Sequence, residues 1–305
     1  MKGVFDISGT SRYDDQIIER YHFPRRYFDT ASLLEQDWIV YRESRVAGGR
    51  MAYLAAAFVD RIEPDPVDPT HFYARILHYQ DFDAPVPYRS ADGRFEERFL
   101  REMPSAGNAG RLLRGRSVRT LDAGDFASIV RQGLAVTLDP ANRIRLDLTP
   151  DNLDPAAAEL LAEPFPERRV EQVLLNRTIR DASFRRHVLE AYDNRCAVTG
   201  MRIVNGGGKA EAQAAHIWAV ADGGPDVVRN GVALSATAHW LFDRHMISFD
   251  DDLRLLVSHN KVPRELLQLF PPPGGQIHLP QDEALHPHRD FVARHRSRFA
   301  GLGAA

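Results

Sequence analysis

Cysteine is almost absent from this 305-residue chain, Cys196 being the single one. That excludes an intramolecular disulfide and a structural zinc held by a cysteine cluster, and a reducing cytoplasm suits the chain best. Long apolar runs are also missing: none approaches the roughly 20 residues of a membrane span. The opening MKGVFDISG is too short in apolar residues for a secretory signal, so no membrane partner is expected. There is no internal repeat, and no excess of positive charge. The 39 Lys and Arg residues against 42 Asp and Glu leave a net charge of −3. That balance speaks against a globally basic nucleic-acid binder and leaves only local patches for phosphate contact.

What is present is the composition of a globular protein, 44% hydrophobic and 27% charged, in a chain long enough for two cores. Residues up to about 90 are β-rich. WIVY at 38–41, MAYLAAAFVDRI at 51–62 and HFYARILHY at 71–79 are bounded by turn signals. The Ala55-Ala56-Ala57 run within the second would equally suit a helix. DAGDFASIVRQGL, 122–134, has the spacing of a short helix. Five prolines between 136 and 168 mark a linker, with a helical turn expected at AAAELLA. A further helix is expected over 181–192. The division is therefore residues 1–135, a linker at 136–168, and 169–305.

The chemistry concentrates between Cys196 and Asp243. His216 ends a predicted strand, AEAQAAHI. Alone it reads more readily as a packed histidine than as a catalyst. Asn230-Gly231 then turns the chain back, and VAL at 232–234 can pair with the preceding strand. ATAHWLFDRH reads as a helix that sets His239 and Asp243 four residues apart on one face. Such a pair suits two ligands of one metal ion.

The order CAVTG, AHI, GGPD–NG and HWLFD resembles the HNH (His-Me finger, ββα-metal) endonucleases over residues from about 180 to 260. The resemblance implies an α+β fold whose C-terminal domain is two strands and a helix around a divalent metal, Mg²⁺, Mn²⁺ or Ni²⁺. It implies His216 as the base that activates water, Asn230 as the residue that holds the loop, orienting His216 or helping the metal, and His239 and Asp243 as metal ligands. The chain departs from the family at Ala215, where many members carry a ligand, and Glu211 is a candidate replacement. It departs also at Cys196 and Thr199, where many members carry cysteines of a structural zinc site.

The first 120 residues hold what a flipped base requires: rings to stack on and polar groups to read an edge. Tyr13, Tyr21, Trp38 and Tyr41, with Asp14 or Asp15, are the expected pocket; core aromatics are the competing reading. Arg25, Arg26, Arg114 and Arg116 are expected on the DNA backbone, or on a solvated surface. The arrangement of this region is similar to the β-barrel of the PUA/EVE superfamily. Together with an HNH module it resembles modification-dependent restriction endonucleases. The expected function is thus cleavage of double-stranded DNA carrying 5-methylcytosine or a related cytosine, by a homodimer. The alternatives are a non-catalytic DNA-binding protein on the HNH scaffold and a nuclease indifferent to modification.

Overall fold

The computed structural model describes residues 1–7, 17–45, 49–91, 93, 95–102, 112–138, 155–156, 170–258, 261–272 and 274–299. Among them the chain packs as two compact units, dividing between Ile179 and Arg180. No described helix is long and apolar enough to cross a membrane. The AAAELLA segment lies largely outside the described residues.

The first unit is mixed α and β, built on a six-stranded sheet. Its strands are β1 Gly3–Ile7, β2 Arg20–Pro24, β3 Asp37–Glu43, β4 Ala52–Pro64, β5 His71–Pro87 and β6 Val118–Thr120, in the order β2-β5-β4-β3-β1-β6. Only β1 and β3 run parallel. In a flat sheet β1 and β2 would stand about 19 Å apart, four steps of roughly 4.8 Å. Yet the rings of Phe5 and Tyr21 stack with centroids 4.5 Å apart, and the Tyr21 hydroxyl donates to the Asp6 carbonyl at 2.8 Å. The sheet is therefore curled on itself, helped by register shifts along β4. Its two end strands, β2 and β6, share no ladder among the described residues. The described residues thus form a curled sheet, and the expected barrel is not shown among them.

The alanine run lies in β4, between β3 and β5, with all three residues fully buried. A strand covered on both faces needs apolar side chains throughout, which removes the alternation that would have distinguished it from a helix. The helix α1, Ala123–Gly133, begins at Asp122, whose side chain accepts from Gly124 N. It lies so close to β5 that a Cβ on Gly133 would meet the Phe82 ring at 2.4 Å. A short helix α2, Val170–Leu175, adds Val170, Val173 and Leu174 to buried positions.

A connected set of charges lies inside this unit. Asp6 accepts from Arg42 at 2.8 and 2.7 Å and from Arg119 at 2.9 Å. Arg119 forks onto Glu97 at 2.8 and 2.5 Å, and Glu97 also receives the Tyr53 hydroxyl at 2.8 Å. Burial pushes the Glu97 carboxyl up, but Arg119 and these hydrogen bonds outweigh it and hold it below its ordinary value. Arg101 likewise pairs with Asp125. Arg101 and Arg119 thus serve the interior and are not available to phosphate.

The second unit takes helix α3, Arg177–Ala191, from Arg180 onward. The antiparallel pair β7 Gln213–His216 and β8 Gly231–Leu234 follows, then helix α4 Ala236–Asp243, the hairpin β9 Ile247–Phe249 and β10 Leu255–Val257, and helix α5 Arg289–Arg296. Gly231 stands opposite His216 in the ladder, and a Cβ there would meet Val188 Cγ2 at 2.3 Å and Phe184 Cζ at 3.0 Å. Its backbone is extended, φ −119°, so close approach of α3, not turn geometry, is what requires glycine.

Candidate active site

His216 closes β7 with its side chain partly exposed. Its Nε2 lies 2.9 Å from Asp226 Oδ1, and the Phe184 ring of α3 stacks on the imidazole at 3.8 Å with 11° between planes. Asp226 is buried, and its other oxygen faces the Arg180 guanidinium at 3.6 Å. A carboxylate accepting from Nε2–H leaves Nδ1 as the proton-accepting nitrogen. Neither Asp226 nor Phe184 was legible as a partner: Asp226 reads as part of the GGPD turn, and Phe184 as helix core. The only signal was proximity of Asp226 to the Asn230-Gly231 turn, which carries no contact information.

Asn230 is fully buried. Its Oδ1 accepts from Trp218 N at 2.9 Å, and its Nδ2 donates to the carbonyls of Trp218 and Pro225, both at 2.9 Å. With Ile217 N donating to Asn230 O at 2.8 Å, the amide ties together both ends of the connection between β7 and β8. That connection carries Asp226. Asn230 therefore positions the loop from inside the fold.

His239 and Asp243 sit one turn apart on α4, Nε2 to Oδ2 3.5 Å, with Asp243 exposed. Ser235 caps this helix through Ala238 N at 3.4 Å. Gln213 Oε1 lies 2.9 Å from His239 Nδ1. A glutamine oxygen accepting from Nδ1–H leaves the Nε2 lone pair directed to the Asp243 side, which is how a ligand histidine is held. Side chains alternate along a strand, so Gln213 and Ala215 share one face of β7 and His216 takes the other. A ligand at position 215 would have joined His239. Glu211 does not replace it as a free ligand: its Oε1 accepts from Ala236 N at 3.0 Å, capping the first turn of α4.

Three of the expected residues thus fall into two sets: His216, joined by Asp226, and His239 with Asp243, joined by Gln213. Among the described residues no three His, Cys, Asp or Glu side chains converge as a metal cage. The His239–Asp243 pair fits two positions of a hard or borderline divalent ion, leaving the others to water and phosphate oxygen. Cys196 is buried and free.

The expected base pocket fares differently. Tyr21, Trp38 and Tyr41 are 4%, 1% and 0% exposed. Tyr21 is stacked on Phe5, Tyr41 packs on Phe5 and Tyr79, and Trp38 packs edge-on to Phe58. Rings already covered cannot receive a base, so these three are core. Tyr13, Asp14 and Asp15 lie outside the described residues. Arg25, Arg26, Arg114 and Arg116 are all exposed, with Arg26 over the Tyr27 ring and Arg116 over that of Phe99.

Residues 196–250 match the family model described as HNH endonuclease. No curated protein matches the chain. Among solved structures, "Modification dependent TagI restriction endonuclease" is similar at 14% identity and TM-score 0.32, covering 98% of this chain and 83% of that one. Rpa0253 from Rhodopseudomonas palustris is similar at 14% identity and TM-score 0.29, covering 43% and 92%. The "Type IV phosphorothioation-dependent restriction endonuclease ScoMcrA" is similar at 17% identity and TM-score 0.19, covering 78% and 48%. The matched segment begins at Cys196, contains both histidine sets and ends on the β9–β10 turn: residues 196–250 are an HNH endonuclease domain.

Proposed function

We propose that the chain is a metal-dependent endonuclease that cuts double-stranded DNA with its second unit and reads a modified cytosine with its first. The observation that carries the nuclease part is the pairing of His216 with buried Asp226 beneath Phe184, within the HNH segment. In this reading His216 Nδ1 takes a proton from the water that attacks phosphorus, while Asp226 keeps Nε2 protonated and Phe184 fixes the ring plane. Asn230 holds the loop that carries Asp226. His239 and Asp243 hold the divalent ion, Mg²⁺, Mn²⁺ or Ni²⁺, and Gln213 orients His239. When bound, the ion supplies positive charge to the scissile phosphate and the departing oxygen.

Specificity is assigned to the first unit as a PUA/EVE-like module that reads 5-methylcytosine or a related base by flipping it. What supports this is separate packing around a curled sheet, in a chain whose nuclease segment would contact phosphates, which position without specifying sequence. Tyr13, Asp14 and Asp15 stay in this proposal, while Tyr21, Trp38 and Tyr41 leave it. Two strands need two cuts, so a second copy of the chain is the expected partner, acting in the cytoplasm.

The test is digestion of matched plasmids carrying cytosine, 5-methylcytosine, 5-hydroxymethylcytosine or glucosylated cytosine, with each of the three metals. Metal-dependent cutting confined to modified plasmid is expected. Equal digestion of all plasmids removes the modification part and leaves the nuclease. A His216→Ala variant that cuts like wild type sinks the nuclease assignment itself.

A further inference from the structure

Most arginines with a described partner in the second unit are neutralised by carboxylates: Arg186 by Glu190, Arg254 by Asp252, Arg296 by Asp251 and Arg298 by Asp222. Two exposed arginines are held differently. Arg294 lies over the Trp218 ring at 3.8 Å, and Arg244 over the Trp240 ring at 4.1 Å. Neither has a carboxylate partner among the described residues. Arg244 adds one long hydrogen bond, to the Trp240 carbonyl at 3.4 Å.

The difference matters for what the guanidinium can still do. A carboxylate occupies the in-plane N–H edges, the same edges that fork onto phosphate. An aromatic ring occupies the face, limits the motion of the side chain and leaves those edges free. An arginine held by a tryptophan is thus a cation prepared for an anion it has not yet met.

Both pairs are tied to the candidate active site through the chain itself. Trp218 follows His216 by two residues, and its N–H and C=O are both bound by Asn230. Trp240 on α4 and Arg244, the residue that caps its C-terminus, stand at i, i+4, next to the i, i+4 row of His239 and Asp243 and about 100° around the helix. Trp240 is 49% exposed, which core packing does not explain.

We infer that Trp218–Arg294 and Trp240–Arg244 are two phosphate clamps that hold the DNA backbone on the nuclease domain, one beside the base and one beside the ligand pair. The inference rests on the nuclease reading and adds the residues that bind the duplex on this unit. It names duplex DNA as the occupant because the free charge is presented edge-on as forks; an apolar partner would need the rings uncovered.

The experiment measures binding of an unmodified DNA duplex by the full chain across a salt series, with Mg²⁺ and in a His216→Ala background so that the duplex stays intact. Each phosphate contact contributes about 0.9 to the slope of log K against log salt. Arg244→Ala and Arg294→Ala are each expected to lower the slope by about 0.9, and the double variant by about 1.8. The double lysine variant, which keeps the charge, is expected to keep the slope and to bind more weakly. An unchanged slope in the double alanine variant overturns the inference, as does a change confined to oligomeric state, which would make this face a contact between copies. Cutting by the His216→Ala background is a separate failure, of the nuclease reading, and the salt series is then run with a chelator in place of Mg²⁺, so that the duplex stays intact and the slope is still read.

Discussion

Asp226 shows how a loop residue can decide what a catalytic candidate does. A histidine with one nitrogen committed to a buried carboxylate has its tautomer and orientation set before substrate arrives. Asp226→Asn is expected to lower cleavage by about 10²-fold or more, within the range of general-base contributions, with DNA binding kept. The rate against pH should change shape along with magnitude, since the tautomer is no longer enforced. Wild-type cleavage in this variant would reduce Asp226 to a loop-packing residue. Asn230 has a different signature. Asn230→Ala leaves one buried N–H and two carbonyls without the amide, each at about 1–3 kcal/mol. Urea unfolding should therefore show a loss of stability alongside the loss of activity, whereas Asp226→Asn should show chiefly the latter. His216, Asn230, His239 and Asp243 could be put forward from the sequence because their order and spacing are local. Asp226, Phe184 and Gln213 could not, because their contacts arise only when the β7–β8 loop closes and α3 packs. The aromatic pocket misled for a related reason: tyrosine and tryptophan in a β-rich segment suit a core as well as a cage, and residue type alone does not say which.

Elements with a clear period or cap were readable. The 122–134 stretch forms α1 with Asp122 as its cap, and the HWLFD helix forms α4 over Ala236–Asp243. The expected 181–192 helix starts earlier, at Arg177, behind Asn176, whose side chain accepts from Ile179 N at 3.1 Å as its N-cap. The strand at 52–64 was ambiguous because double-sided burial erases alternation. Docking of α5 makes a prediction of its own. His295 is buried, stacks on Phe242 at 3.7 Å, and bonds to Ser248 Oγ at 2.9 Å and the Phe242 carbonyl at 3.0 Å. Burial pushes its pKa down from 6.5 to about 4, against the raising effect of the Phe242 carbonyl and with His245 and Arg298 adding to the depression. Between those values the unfolded chain binds a proton that the folded chain refuses. The stability tied to neutral His295 is thus complete above about pH 6.5 and is lost as pH falls to about 4, amounting to about 3 kcal/mol in all. Chemical denaturation at stepped pH should show this decline, and His295→Gln should flatten it. An unchanged slope in that variant would assign the acid sensitivity to other groups.

At the scale of the whole molecule, each unit has its own buried core, so damage to one should be separable from damage to the other. The ion network of the first unit offers a sharp way to test this. Glu97 is fully buried and answers both Arg119 and Tyr53, so Glu97→Ala leaves the buried Arg119 guanidinium with Asp6 as its one remaining carboxylate and takes the acceptor from the Tyr53 hydroxyl. Breaking such a pair from one side costs about 3–5 kcal/mol, far more than the intact pair contributes. The expected result is a thermal unfolding profile in which an early transition moves down and a later one stays. Glu97→Gln, which keeps a hydrogen-bond acceptor, should move it less. If the first unit reads the modified base and the second cuts, metal-dependent cleavage should survive at temperatures where the first unit has melted. Discrimination between modified and unmodified plasmid should be gone there. A chelator should abolish cleavage at every temperature without shifting the early transition, because the His239–Asp243 pair lies in the other unit. A single cooperative transition that moves as one, with activity and discrimination lost together, would mean that the units do not divide the labour as proposed.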